Sequence, residues 1–178
     1  MASVWNVNHA RYALQKILTD MKSDVGMSTA MFATIINGFV LPSASHTGTF
    51  PLACILPPQG HVPEFTDAPY AVIRHRCILP VFAYFVDQDA ASAAEKMIRF
   101  IGMFNEALIQ QDYTNSWGKD ILAADANAFD GESIGLSLRV NSSDTGQVLK
   151  RINVDVEIEK PFWGVLVEVA AEWTDSRF

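Results

Sequence analysis

The sequence predicts an α+β protein built on a mostly antiparallel sheet, and three segments carry that prediction. Residues 71–86 are rich in β-branched and aromatic side chains, which is typical of a long strand. Residues 90–110 carry apolar side chains at helical spacing, which predicts a helix of roughly 30 Å. Residues 151–173 alternate apolar and acidic side chains and predict a C-terminal β-hairpin. The expected architecture is a sheet packed by an N-terminal helix and this long helix.

The composition favours a single domain over residues 1–178 with a substantial apolar core. Hydrophobic residues make up 49% of the chain and charged residues 19%, which argues against disorder and suggests more apolar surface than one copy buries. The formal net charge of −7 argues against general nucleic-acid binding. The two cysteines form no disulfide framework and show no zinc spacing, which fits a reduced cytoplasmic environment. The longest apolar run is shorter than the roughly 20 residues of a membrane span, so no membrane association is expected.

The first third of the chain contains one clear helix and one ambiguous region. Residues 8–21 place Ala10, Leu14 and Ile17 on one face and predict a helix. Residues 27–41 are apolar, and periodicity leaves open whether they form a buried helical turn or a strand pair. The three prolines of residues 57–63 predict a surface loop over residues 57–65. We interpret the whole range 27–63 as an apolar, Pro-rich insertion or interface arm.

The central strand and helix can be described in more detail. Pro80 lies in the middle of the long strand and cannot donate to a ladder, so it predicts an edge or a bulge. Asp87 or Asp89 is the expected N-cap of the long helix. Two further strands are predicted at residues 121–129 and 134–140. The helix face expected to be buried consists of Ala94, Met97, Ile98, Ile101, Phe104 and Leu108.

The predicted hairpin has one apolar and one acidic face. Keeping like faces together with a four-residue loop at residues 161–164 places Glu157 directly opposite Glu168. Facing carboxylates destabilise a strand pair, so the acidic face is expected to contact either water or a cationic partner. This face contains Asp155, Glu157, Glu159, Glu168 and Glu172.

Several of these residues are candidates for chemistry, and each has a simpler interpretation. The acidic face could be a metal or acid/base cluster, but a solvated outer face is favoured because the hairpin has no histidine. Arg74 and Arg76 could contact nucleic acid or an acidic neighbour, whereas a surface ion pair is the favoured interpretation. They remain the cationic candidates for meeting an acidic hairpin across a subunit boundary.

A catalytic or metal site is not predicted. His75 and Cys77 share a strand face and could form a nucleophile pair, but no orienting residue is identifiable, and a packed cysteine is favoured. His9, His46 and His61 lie in unrelated segments. The sequence lacks the phosphate-loop, dinucleotide, metalloprotease and nucleophile-elbow motifs. We therefore expect no enzyme activity and no cofactor.

The order of elements resembles the tail-terminator and minor tail (neck) protein group of tailed bacteriophages. The segments that carry the resemblance are the N-terminal helix, FPLACIL, AVIRHRCILPVFAYF, the DQD junction, AASAAEKMIRFIGMFNEAL, INVDVEIE and VLVEVAAEW. The resemblance implies a structural subunit without catalysis that closes into a ring, commonly a hexamer, at the head-proximal end of the tail tube. It also implies contacts with the tube protein and with neck or connector proteins, in the virion and in the host cytoplasm during assembly. Two departures are the length of residues 27–63 and the interruption by Pro80.

This resemblance gives the acidic face a role. An acidic lumen would let DNA pass without binding, because carboxylates repel phosphate. The hairpin's acidic face is then expected to line the channel or to pair with Arg74 and Arg76 of a neighbour. The alternative is a small-molecule- or peptide-binding α+β domain without catalysis, with a pocket between the long helix and the sheet. A third hypothesis is a hydrolase that uses His75 and Cys77.

Overall fold

The computed structural model describes residues 7–23, 26–39, 50–65, 72–114, 137–140, 150–152 and 162–176, and these form an α+β fold. The predicted fold class is therefore confirmed. The elements in chain order are α1 (Val7–Asp20), β1 (Thr34–Asn37), β2 (Leu52–Ile55), β3 (Gln59–Phe65), β4 (Val72–Val86), α2 (Ala90–Thr114), β5 (Ser137–Val140), β6 (Lys150–Ile152) and β7 (Phe162–Ser176).

The sheet is organised around β4 and β7, which pair antiparallel over their full length from Val72↔Ser176 to Val86↔Phe162. On its other side, β4 pairs first with β3 and then with β2, and β1 adds to β2 in parallel. The other side of β7 pairs with β6 near its start and with β5 near its end. Among the described strands, only the β1–β2 pair is parallel, so the predicted mostly antiparallel sheet is confirmed.

Both helices pack on one face of this sheet, which we call the inner face. Side chains on strands alternate between faces, and the odd-numbered residues of β4 and β7 point inward, as predicted. Burial of these apolar side chains removes several hundred square ångströms from water and is the main stabilising contribution. The core includes Leu14, Leu18, Met97, Phe100, Phe104, Leu79, Val169 and Trp173, each at most 1% exposed.

The start of α2 is fixed by two aspartates. The Asp89 side chain accepts hydrogen bonds from the backbone amides of Ala91 at 3.4 Å and Ser92 at 3.0 Å, which confirms it as the N-cap. Asp87 accepts hydrogen bonds from the Ser92 hydroxyl at 2.6 Å and from Lys96 Nζ at 2.7 Å. These hydrogen bonds, to Lys96 foremost, hold the pKa of Asp87 far below its ordinary value.

The buried face of α2 differs from the predicted one. Phe100 is fully buried, whereas Ile98 is 61% exposed. Met97, Phe104 and Leu108 are buried as predicted. Phe100, which was not part of the predicted face, fills the space over the sheet together with Met97 and Phe104. Phe100 contacts the rings of Phe32, Phe85 and Phe104.

Several described parts of the range 27–63 belong to the sheet and its core. Leu52–Ile55 is fully buried as β2, and Met31 and Phe32 are each 5% exposed. Residues 59–65 were expected to be a surface loop, and that prediction is wrong, because they form β3. β3 pairs only with β4 among the described strands, and an edge strand tolerates a proline such as Pro63. Residues 40–49 lie outside the described part.

Pro80 does not lie on an edge strand, because β4 runs through it and pairs on both sides. Its carbonyl oxygen accepts a hydrogen bond from the Leu56 amide at 2.9 Å. Leu56 lies in the short junction between the end of β2 and the start of β3. In an antiparallel ladder a residue's N–H and C=O point to the same side. The missing N–H therefore faces this junction, and the ladder to β7 is unaffected.

Of the first predicted hairpin strand, the structure describes only residues 151 and 152, and the register predicted for them is wrong. Ile152 pairs with Phe162, whereas the predicted register would place it opposite Trp173. The part of β7 around Val169 pairs with β5 instead. Glu157, which was predicted to lie opposite Glu168, is outside the described residues. The predicted register pairs even-numbered with odd-numbered residues, whereas the observed register pairs even with even, so the alternation of apolar side chains did not lead to the observed register.

Candidate interaction surface

The outer face of the sheet, opposite the helices, carries the predicted cationic candidates. Arg74 and Arg76 lie on β4 with their side chains exposed, while the alternating Ile73 and Cys77 are buried on the inner face. The period-2 pattern of the sequence was sufficient to predict this separation. The outer face therefore presents the Arg74 and Arg76 side chains to solvent.

Arg76 has a carboxylate partner within its own chain. Its Nε lies 3.5 Å from Oε1 of Glu172, its cross-strand neighbour on β7, and both side chains are about half exposed. Exposed pairs of this kind contribute about 0–1 kcal/mol. The favoured interpretation of Arg76 as part of a surface ion pair is thus confirmed. Glu172 of the same chain therefore offsets part of the Arg76 charge that was expected to pair with a neighbour.

The other charged side chains of this face also alternate in sign. Arg74 is opposite Glu64 of β3. Arg139 of β5 is opposite Ala170, so Glu168 and Glu172 flank it on the adjacent strand. The described outer face is therefore mixed in charge rather than purely acidic. Asp155, Glu157 and Glu159 lie outside the described residues.

The opposite end of the outer face is apolar. Leu52, Cys54 and Tyr84 are fully buried there, and Phe50, Phe82, Ile36 and Leu56 pack around them. The Tyr84 hydroxyl has no hydrogen-bond partner within the described ranges. Its burial, with a further contribution from Cys54, raises the pKa of Tyr84 to about 12. Tyr84 is thus a neutral packing residue at ordinary pH.

The structure argues against a His75–Cys77 nucleophile pair. Cys77 is fully buried, and its burial raises the pKa of the thiol to about 11, so the reactive thiolate is disfavoured at neutral pH. The Nδ1 atom of His75 lies 3.1 Å from Nε2 of His61, and its ring stacks on Trp173 with centroids 5.2 Å apart. His75 is therefore part of an aromatic cluster.

The proximity of His61 to His75 was not predicted from sequence. The register between β3 and β4 shifts between Gln59 and Val62, and Gly60 has a φ of 62°. Such a bulge with glycine in the left-handed region re-aims the following side chain. Gly60 before His61 could have indicated the bulge, but only if residues 59–65 had been recognised as a strand.

A second exposed feature is the outward face of α2. Ile98 is 61% and Ile109 60% exposed, and their spacing of three helical turns places them on the same side. Gly102 lies between them, and a Cβ at that position would meet nothing within 4 Å. We call Ile98, Gly102 and Ile109 the outward stripe. It leaves apolar surface in contact with water.

No group of three or more metal-binding side chains is placed to hold an ion in the ranges that the structure describes. Neither described helix is long and apolar enough to cross a membrane. The sequence matches no protein-family model and no curated protein.

Proposed function

We propose that this chain is a structural, ring-forming subunit of the tail-terminator or neck type found in tailed bacteriophages. In this role several copies, commonly six, close around an axis at the head-proximal end of the tail tube. Each ring contacts the tube protein below and neck or connector proteins above. Support comes from the described elements α1, β2, β4, α2 and β7, which follow one another in the order of the segments that carry the resemblance.

The outward stripe is the observation that carries the proposal. The buried side of α2 already fills the core through Phe100 and its neighbours, so Ile98 and Ile109 do not serve internal packing. Ile98 and Ile109 lie on the same side of the helix, and exposed apolar side chains grouped on one side can mark an interaction site. A ring interface is heterologous, meaning that this stripe would contact a different patch on the next copy.

The charge distribution also fits a channel through which DNA passes. The net charge of −7 opposes adhesion of DNA to the ring. The outer face carries arginines that are balanced by glutamates, as in the Arg76–Glu172 pair. Such a surface supplies ion pairs for a neighbour without presenting a continuous cationic path for phosphate.

The proposal is tested by the mass of the purified protein. We expect multi-angle light scattering to report a closed oligomer and negative-stain images to show rings. The double variant Ile98→Glu/Ile109→Glu should be monomeric, because burying two carboxylates without partners costs several kcal/mol. Gln110→Glu adds the same type of charge to the same helix beside the stripe and serves as the matched control.

Two results would contradict the ring proposal. One is a wild-type protein that stays monomeric at high concentration and in the presence of tail tubes. The other is a double variant that assembles as well as the Gln110→Glu control. Circular dichroism of both variants separates loss of assembly from loss of folding.

A second candidate function is non-catalytic binding of a small molecule or peptide, and a cavity favours it. A space of about 460 Å³ lies between α2, the end of β4 and the segments around Met31 and Phe50. Binding pockets for small molecules typically measure about 300–1,000 Å³. A binding domain of this kind is expected to be monomeric or dimeric, so the mass measurement distinguishes the two functions.

A further inference from the structure

A ring interface needs a second apolar surface on each copy, because a heterologous contact joins two different patches. The outward stripe sets the length of that surface. Ile98 and Ile109 are roughly 16 Å apart along α2, since a helix rises 1.5 Å per residue. Outside the stripe, the exposed large apolar side chains of the described residues are Tyr12, Met27, Phe39 and Val62.

Phe39 lies beside the end of β2. The Gly38 amide donates a hydrogen bond to the Ile55 carbonyl at 2.8 Å, which ties the backbone before Phe39 to this strand. The Phe39 ring meets the ring of Phe82 on β4, with centroids 6.5 Å apart. The side chain is nevertheless 52% exposed. Phe39 is therefore held on the sheet and open to solvent.

Val62 lies farther along the same part of the sheet. It is opposite Arg76, and along β4 this position is about 20 Å from Phe82. Val62 shares the outer face with Arg76 and is 53% exposed. Pro57 and Pro58 are exposed in the short connection from β2 to β3, between the two apolar side chains. We call Phe39, Pro57, Pro58 and Val62 the edge patch.

The edge patch matches the outward stripe in length and in chemistry. Its length of about 20 Å is close to the roughly 16 Å between Ile98 and Ile109. Proline has no backbone N–H and a fixed φ, so Pro57 and Pro58 form a rigid apolar surface. An apolar partner can cover these two residues without leaving a backbone donor unpaired.

Each surface also has one charge without a partner in its own chain. Arg74 is exposed on the outer face, diagonal to Val62, and Glu106 is exposed one helical turn before Ile109. Within the described part of the chain, neither side chain forms an ion pair or a hydrogen bond, and Glu64 opposite Arg74 forms none either. A contact between Ile109 and Val62 would therefore bring an unpaired cation and an unpaired anion into the same part of an interface.

We infer that the outward stripe of one copy docks on the edge patch of the next copy in the ring. This inference rests on the proposed ring function and names the surface that receives the stripe. Ile109 contacts Val62, and Ile98 contacts Phe39. Gly102 has no side chain, so it leaves room for the two prolines between these contacts.

Mixing two variants tests this contact. Ile98→Glu/Ile109→Glu disables the stripe and leaves the edge patch intact, whereas Phe39→Glu/Val62→Glu disables the patch and leaves the stripe intact. Each variant alone should be monomeric. Their equimolar mixture should form a 1:1 dimer, because one intact stripe can still dock on one intact patch. Sedimentation velocity measures all three samples.

The charged pair is tested by reversal. Arg74→Glu should weaken assembly by about fivefold or more, because it replaces an ion pair with two facing carboxylates. The double variant Arg74→Glu/Glu106→Arg restores opposite signs and should recover assembly.

Tyr12→Glu is the matched control for the patch variant. It places a carboxylate on an exposed apolar side chain of α1, outside the edge patch, and should assemble like the wild type. Circular dichroism of every variant separates loss of assembly from loss of folding.

The outcomes separate the docking surface from the ring itself. A mixture that stays monomeric, while the wild type forms rings, overturns the inference and leaves the ring proposal standing. A Phe39→Glu/Val62→Glu variant that assembles as well as Tyr12→Glu has the same meaning. A wild type that is itself monomeric overturns the ring proposal and the inference together.

Discussion

Phe100 and Ile98 are two residues apart on α2, yet one is fully buried and the other is 61% exposed. Residues at this spacing lie about 200° apart around a helix axis. The two apolar side chains therefore cannot serve the same contact. Phe100 packs edge-on against Phe32 with ring centroids 5.4 Å apart, whereas Ile98 points away from the core.

This difference gives a stability prediction for two truncations. Phe100→Ala should lower the free energy of unfolding by about 3–5 kcal/mol, because it removes a buried ring and leaves a cavity. Ile98→Ala should change it by less than about 0.5 kcal/mol in the monomer. Urea denaturation at low protein concentration measures both. Equal losses of unfolding free energy in the two variants would instead support the buried face predicted from the sequence, which includes Ile98.

Individual residues also show why packing partners were harder to predict than the sheet face on which a side chain lies. Alternation along β4 separated Arg74 and Arg76 from Cys77 without any structural information. The sequence could not show that His75 contacts His61, because that contact depends on the register between two strands that are separated along the chain. It also could not show that Phe100 rather than Ile98 belongs to the buried face of α2, because both side chains are apolar.

At the level of elements, α2 begins in a compact polar network. Asp87 binds the side chains of Ser92 and Lys96, and the backbone amide of Asp89 donates to it at 3.0 Å. The backbone carbonyl of Asp87 accepts a hydrogen bond from Trp163 Nε1 at 3.0 Å. Asp87 therefore connects the start of α2 with the start of β7.

The lowered pKa of Asp87 predicts an acid-sensitive contribution to stability. A carboxylate whose pKa is lower in the folded than in the unfolded state stabilises the protein above its unfolded pKa, which is about 3.9. This contribution is lost as the pH falls from there towards the folded pKa. Asp87→Asn should thus be clearly less stable than wild type above pH 5, with the difference shrinking steadily below pH 4.

Denaturation at several pH values measures this difference, and Asp20→Asn provides the control. Asp20 accepts a hydrogen bond from Lys16 in an exposed i,i+4 pair, and its side chain is 63% exposed. Its substitution should have little effect at neutral pH. A gap between wild type and Asp87→Asn that stays constant down to pH 2 would show that the network does not depend on the Asp87 charge.

The elements differ in how well sequence predicted them, for physical reasons. α1, α2 and the long strands β4 and β7 have strong local periodicity and were predicted within a few residues. β3 was not predicted because Pro57, Pro58 and Pro63 favoured a loop, although only Pro63 lies within the strand and an edge position tolerates it. The register of β6 was missed because β5, from a separate segment, occupies the part of β7 that the hairpin was expected to use.

At the scale of the whole molecule, two forces act on self-association in opposite directions. Each copy carries a net charge of −7, so copies repel one another. The outward stripe favours association by removing apolar surface from water. A third contribution is expected if Arg74 and Arg76 pair with acidic residues of a neighbour.

Salt dependence distinguishes the apolar contribution from the ionic one. Salt shortens the screening length from about 30 Å at 0.01 M to about 3 Å at 1 M, which weakens both the repulsion and any exposed intersubunit ion pairs. If the outward stripe holds the ring together, sedimentation velocity should show assembly strengthening between about 20 mM and 500 mM NaCl. Dissociation over the same range would instead indicate that ion pairs dominate. In that case Arg74→Gln should weaken assembly at low salt, while Ile98→Glu should have the smaller effect.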